Sequence, residues 1–173
     1  MLRLLHTADW HLGRRFPSFP EDAQKKLSRA RMDVIARILD VARRNSVNAV
    51  LCAGDLFDDP LPSSDFWEGL SKTFRDHPGP HAPVFLVPGN HDPLTPESVW
   101  APGHPFRTRL PQWVHVVDRD DFEYEIAPGA IHPVLKATAV DLLGRLLVME
   151  RAQVRPWRLI RRPLPEPDEE PPA

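Results

Sequence analysis

Four short, mainly apolar runs stand out along the first two thirds of the chain: Leu2–Leu5, Asn48–Ala53, Pro83–Val87 and Trp113–Val117. Runs of this length, bounded by polar and turn-forming residues, predict strands. A fifth segment, Phe122–Ile126, alternates apolar and acidic residues with period two, the pattern of a half-exposed strand. From about Glu21 to Asn45 the period changes. Leu27, Val34, Ile35, Ile38, Leu39 and Ala42 recur at the i, i+3, i+4, i+7 spacing of a helix whose stripe packs on a sheet. Lys25, Lys26, Arg29, Arg37, Arg43 and Arg44 fall outside that stripe and read as its solvated face. A second helix is predicted near Ser64–Phe74, with Asp65 in its first turn and Phe66, Trp67, Leu70 and Phe74 inward. Strand, helix, strand, helix, strand predicts an α/β fold: a layered, mainly parallel sheet with flanking helices.

Composition narrows the class. The chain has 173 residues, 42% hydrophobic and 27% charged, the balance of a soluble globular protein. A net charge of −2 excludes binding of nucleic acid by bulk positive charge, so an anionic ligand needs a local site. The single cysteine, Cys52, excludes an internal disulfide framework, fits a reducing compartment and reads as a small core residue on a buried strand. No uncharged stretch approaches the roughly 18 residues of a membrane span, and Leu4-Leu5 is too little for a signal peptide. A cytoplasmic protein with no membrane contact is the expectation. Charge divides the chain into an organised domain over 1–128 (net −3), an atypical basic and apolar segment over 129–162 (net +5), and a tail over 163–173 (net −4). In the middle segment, a helix through Leu135, Ala139, Leu142, Leu146 and Met149 competes with two strands over Arg145–Ile160. Proline and acidic residues dominate the tail, which predicts disorder.

Candidate chemistry sits at one place in this pattern. The first strand leads into Asp9-Trp10-His11, the second into Gly54-Asp55-Leu56-Phe57-Asp58, and the third into Gly89-Asn90-His91-Asp92. If the strands are parallel, all three clusters emerge at their carboxyl ends on one edge of the sheet. Two histidines, an asparagine and up to four carboxylates then share a patch. Such a concentration of like charge calls for a cation. Carboxylate, imidazole and amide oxygen without thiolate suits Mn²⁺, Fe²⁺ or Zn²⁺ better than Ca²⁺. One aspartate between two such ligand pairs could bridge two ions about 3.5–4 Å apart, the two-metal arrangement for attack on phosphorus.

Asp9-x-His11, Gly54-Asp55-x-x-Asp58 and Gly89-Asn90-His91-Asp92 resemble, in order and separation, the first three motifs of the calcineurin-like metallophosphoesterases. The strings His6-Thr7-Ala8-Asp9-Trp10-His11-Leu12-Gly13 and Ala53-Gly54-Asp55-Leu56-Phe57-Asp58 are most similar to the SbcD-type DNA repair exonuclease branch. The resemblance covers roughly 1–128, the N-terminal half of the family domain. It implies about half of a two-sheet sandwich and two divalent ions, most readily Mn²⁺. Asp9 and His11 would hold the first ion, Asp55 would bridge, and Asn90 would hold the second. His91 would be the acid that helps the leaving oxygen depart, with Asp92 orienting it. DNA as substrate, an SbcC-type ATPase as partner and a homodimer formed through helices of the first half are further implications.

The chain also departs from that pattern. The family carries three more histidines in its second half, one alone and then a Gly-His-x-His pair. After His91 only His104, His115 and His132 occur, none in such a string, and each is a ligand candidate by default. An internal deletion or truncated paralogue is one expectation. Activity through one ion, a degenerate non-catalytic binding module and a small-substrate metallophosphatase all stay open. Half a sandwich also predicts an apolar sheet face covered by residues 134–160, a second copy or a partner. Asp58 reads first as a turn-stabilising residue. His6 reads as a packed or solvated strand-end residue, and His77 and His81 as loop surface. Trp10 and Phe57 read as packing beneath the site.

Overall fold

The predicted strands pair into one parallel sheet whose order follows the chain: β1 (Leu4–Thr7), β2 (Ala49–Ala53), β3 (Val84–Val87) and β4 (Val114–Val116). This computed structural model describes residues 3–119 and Tyr124. The rest of the alternating segment Phe122–Ile126, the segment 129–162 with His132, and the tail 163–173 lie outside the described residues. Register is tight. Leu5, Val50, Val84 and Val114 form one row across the sheet, and Thr7, Cys52, Leu86 and Val116 another. At the start of the sheet, Arg3 and Asn48 lock β1 to β2: the Arg3 N–H donates to Asn48 Oδ1 at 2.8 Å, and the Asn48 N–H to the Arg3 carbonyl at 2.7 Å.

Two helices cross over between the strands, α1 (Glu21–Arg44) and α2 (Ser64–Asp76). Glu21 and Asp22 in the first turn of α1, and Arg43 and Arg44 in its last, suit the helix dipole. Both helices pack on the face carrying Val50, Cys52, Val84, Leu86, Val114 and Val116, where Ile35, Leu39, Ala42, Leu70 and Phe74 are buried. Each such side chain contributes about 1.5–3 kcal/mol on burial, Ala42 and Cys52 less. The opposite face carries Ala49, Leu51, Phe85 and Val87. These are buried too, with Tyr124 against Phe85 at 5.1 Å between ring centroids. Cys52 is a buried core thiol, and burial pushes its pKa up.

Three details depart from the sequence reading. Leu27 and Val34 are not part of the packed stripe; with Val41 they form an exposed line at seven-residue spacing. The stripe is centred on Ile35, Leu39 and Ala42, and one residue along a helix turns the side chain by about 100°, which carries Val34 off the sheet. His77 is not loop surface. It ends α2 with its side chain only 8% exposed, Nε2 3.3 Å from Asp40 Oδ1 and Nδ1 accepting the Gly79 N–H. That contact holds the Asp40 carboxyl below its ordinary range. A four-residue helix, α3 (Pro105–Thr108), was not foreseen; His104 caps it, its Nδ1 accepting the Phe106 N–H at 3.0 Å.

Candidate metal centre

Because β1, β2 and β3 are parallel neighbours, the loops leaving them share one edge. The first two loops are zipped together beyond the sheet. The backbone N–H groups of Asp9, His11 and Leu12 donate to the carbonyls of Gly54, Asp55 and Leu56 at 3.2, 2.9 and 2.8 Å, and Asp58 N–H returns to the Leu12 carbonyl at 3.0 Å. Asp9, His11 and Asp55 all adopt left-handed backbone, with φ of 53°, 44° and 52°. Non-glycine residues hold such angles at a cost of about 1–3 kcal/mol each, which the inter-loop hydrogen bonds offset. The third loop closes against the second through Gly89. A Cβ there would lie 1.9 Å from Asp55 Oδ1 and 2.2 Å from Asp55 N, so only glycine lets the two loops touch.

His11, Asp55 and His91 result as a compact donor group, with one ligand atom from each within 4.8 Å of the others. The His91 N–H donates to Asp55 Oδ1 at 2.9 Å, and the two imidazoles meet edge to face at 4.9 Å. Asp9 stands at the outer side, its Oδ1 3.8 Å from His11 Nε2 and its side chain 67% exposed. Asn90 is exposed on the β3 loop between Gly89 and His91. Asp58, read from sequence as a turn residue, reaches further than that. Its Oδ1 lies 3.0 Å from His11 Nδ1 and 3.7 Å from His91 Nδ1. Spacing alone gave no signal for this, because the contact depends on how the first loop folds back over the second.

Asp92 does not turn toward the His91 ring. Its buried carboxylate accepts the Gly89 N–H at 2.6 Å and the Phe57 N–H at 3.1 Å, and its carbonyl accepts Trp100 Nε1–H at 2.6 Å. Adjacent loop residues point opposite ways, so His91 faces solvent while Asp92 ties the β2 and β3 loops from beneath. Burial raises its carboxyl pKa to about 7, outweighing the backbone N–H groups of Phe57, Gly89 and Leu56 that favour the anion. Trp10 and Phe57 are buried under the site, as their sequence reading has it; Phe57 packs on Phe106 and Trp100 at 5.5 and 6.2 Å. His104 and His115 stand elsewhere, against Trp67 and against Phe85 and Tyr124 respectively.

The donor set fits a divalent cation. His11 Nδ1 is buried and has no hydrogen-bond partner, since Asp58, although close, lies off the line a hydrogen bond needs. An imidazole with an unsatisfied nitrogen, on a residue grouped with a buried carboxylate and a second imidazole, matches borderline metals such as Mn²⁺ or Zn²⁺.

Sequence comparison gives the class. The chain belongs to the calcineurin-like phosphoesterase family, whose profile matches residues 2–171. Members of this family use divalent metals. Among curated proteins, the chain is 31% identical over 104 residues to the SbcD component of the nuclease SbcCD from Rhodobacter capsulatus, a match covering 57% of this chain and 24% of that protein. It is 36% identical over 94 residues to the same component from Escherichia coli K12, covering 53% and 21%. The DNA double-strand break repair protein Mre11 of Saccharolobus solfataricus is 29% identical over 92 residues, covering 53% and 23%. The matches thus span about a quarter of the length of these relatives. Among the described residues, no helix is long and apolar enough to cross a membrane.

Proposed function

We propose that the chain is a Mn²⁺-dependent phosphodiester hydrolase of the double-strand-break-repair exonuclease type, acting on DNA alongside an SbcC-type ATPase. One observation carries this reading: three adjacent strand ends bring His11, Asp55 and His91 within 4.8 Å of one another, with Asp9 and Asp58 beside them. Asp9 and His11 would hold a first cation, Asp55 would reach between two, and Asn90 would complete the second position. Bound there, the cations supply Lewis acidity toward phosphorus and lower the pKa of a water. His91, at the solvent-facing rim, donates a proton to the departing oxygen. Asp92 positions it indirectly, by fixing the loop on which it sits.

The test is Mn²⁺-supported hydrolysis of bis-p-nitrophenyl phosphate and of linear duplex DNA, with EDTA as control. Turnover of both, abolished by EDTA, is expected. Turnover of phosphomonoesters alone would replace the reading with a small-substrate phosphatase. A non-catalytic binding module is favoured by a separate observation: His104 and His115 are engaged in capping and ring packing away from the site. Metal binding without turnover of any ester would establish it.

A homodimer belongs to the same proposal. The exposed line Leu27, Val34 and Val41 on α1 offers a ridge at the spacing of a helix–helix seam. Light scattering on the wild type and on Val34→Asp tests it; a wild-type monomer at all concentrations would refute it.

A further inference from the structure

Arg31 is out of place on α1. It lies one turn before Ile35, on the stripe that buries Ile35, Leu39 and Ala42, where the pattern calls for an apolar residue. Its guanidinium does not reach a carboxylate. Among the described residues no ion pair engages it; instead Nη1 donates to the Trp10 carbonyl at 3.1 Å and to the His11 carbonyl at 3.0 Å. The group also lies over the Phe16 ring, 5.1 Å from its centroid. A charge on the helix is thus spent on two backbone carbonyls of the loop that carries Asp9 and His11.

Those carbonyls belong to strained backbone. Asp9 and His11 both hold positive φ, and Trp10 sits between them. Left to itself, such a segment relaxes toward the ordinary α or β regions. Relaxation would swing the His11 imidazole away from Asp55 and His91. The zipper to Gly54, Asp55 and Leu56 uses the N–H groups of this loop, while Arg31 uses its carbonyls, so the two restraints act on opposite sides of the same peptides. Phe16, further along the loop, lies against the guanidinium, whose bonds to the two carbonyls are partly buried.

We propose that Arg31 is a positioning residue that, through the Trp10 and His11 carbonyls, holds His11 in its left-handed conformation and thereby sets the affinity of the His11, Asp55 and His91 group for a divalent cation. The inference rests on the metal-centre reading for its second half but not for its first. One terminal nitrogen that reaches both carbonyls is what the role needs. Methionine keeps the stem packing and loses the donors; lysine keeps the charge and a donor nitrogen, but on a shorter stem and without the planar group that lies over Phe16.

The test uses the full chain as wild type, Arg31→Met and Arg31→Lys, with two readouts. Amide hydrogen exchange on metal-free protein is expected to quicken at least tenfold at His11 and Leu12 in R31M, with the β2 and β3 amides unchanged. Calorimetric Mn²⁺ titration, well below the melting temperature, is expected to show affinity at least tenfold weaker in R31M and partly restored in R31K. Unchanged exchange at His11 and Leu12 overturns the proposal. So does wild-type Mn²⁺ affinity in R31M. If R31M does not fold, R31K decides: exchange and affinity both equal to wild type refute the role of the guanidinium. A wild-type protein that binds no Mn²⁺ sinks the metal-centre reading and the affinity half of the proposal, while exchange still judges the hold on the backbone.

Discussion

Replacing Gly89 with alanine adds one methyl at the point where the β2 and β3 loops touch. That methyl would start 1.9 Å from Asp55 Oδ1, 2.7 Å from its Cγ and 2.2 Å from its backbone nitrogen. Ordinary contact begins near 3.4 Å, so the carboxylate has to retreat by about 1.5 Å. A side-chain rotation cannot clear the backbone nitrogen. The end of β2 has to move as well, against the hydrogen bond from the His11 N–H to the Asp55 carbonyl and the one from the His91 N–H to Asp55 Oδ1. Overpacking of this kind costs about 1–3 kcal/mol of stability. The displaced carboxylate leaves the donor group, which should weaken metal binding on the order of 10–100-fold. Urea unfolding and Mn²⁺ calorimetry on G89A measure both. Gly103, where an added Cβ meets nothing within 4 Å, supplies the control; G103A should lie within about 0.5 kcal/mol of wild type. A G89A protein with wild-type stability and wild-type Mn²⁺ affinity would refute the packing argument and the role of Asp55 together.

Other outcomes follow from the same geometry. His91→Ala should abolish Mn²⁺-dependent phosphodiester hydrolysis while leaving the circular dichroism and melting temperature near wild type; retained turnover would remove its acid role. Asp92→Asn swaps one acceptor oxygen for an NH₂ that faces a backbone N–H, so the metal-free protein should lose about 1–3 kcal/mol, read by urea unfolding. Calorimetry should find at most one tight Mn²⁺ site, a second ion binding more weakly, because one compact donor group is formed among the described residues; two equally tight sites would require ligands from elsewhere. Burial lowers the His115 pKa, so its neutral form is the one the fold favours. Its contribution is complete above the unfolded value near 6.5 and declines as pH falls below it. His115→Gln should therefore flatten the loss of melting temperature between pH 7 and 5; an unchanged slope would assign that loss to other groups.

Much of the fold was legible because each strand is nearly all apolar and each is followed by a polar cluster. Val84–Val87 is buried at all four positions, and such a run has few alternatives to a central strand. The convergence of His11, Asp55 and His91 followed from parallel order alone. What was not legible depends on orientation around an axis. Val34 sits next to Ile35 in sequence yet faces solvent, because a helix that touches a sheet along one line exposes residues a quarter turn away. Asp92 follows His91 directly and points the other way. Asp58 looks like any Asp in a turn until the β1 loop folds back and sets its carboxylate beside His11. α3 is too short to carry a period; its mark is His104-Pro105, a cap and a first-turn proline. Arg31 could have been noticed as a charge on an apolar stripe, but nothing in the spacing says which carbonyls it meets.

The most direct test is to locate the cation itself, by anomalous scattering from crystals of the full chain grown with Mn²⁺. The expected result is a peak within coordination distance, about 2.0–2.3 Å, of a His11 nitrogen and an Asp55 oxygen, at the joined ends of β1 and β2 and facing the β3 loop. A structure saturated with Mn²⁺ that shows no peak there, or one held by residues away from these three loops, would contradict the assignment of this edge as a metal centre.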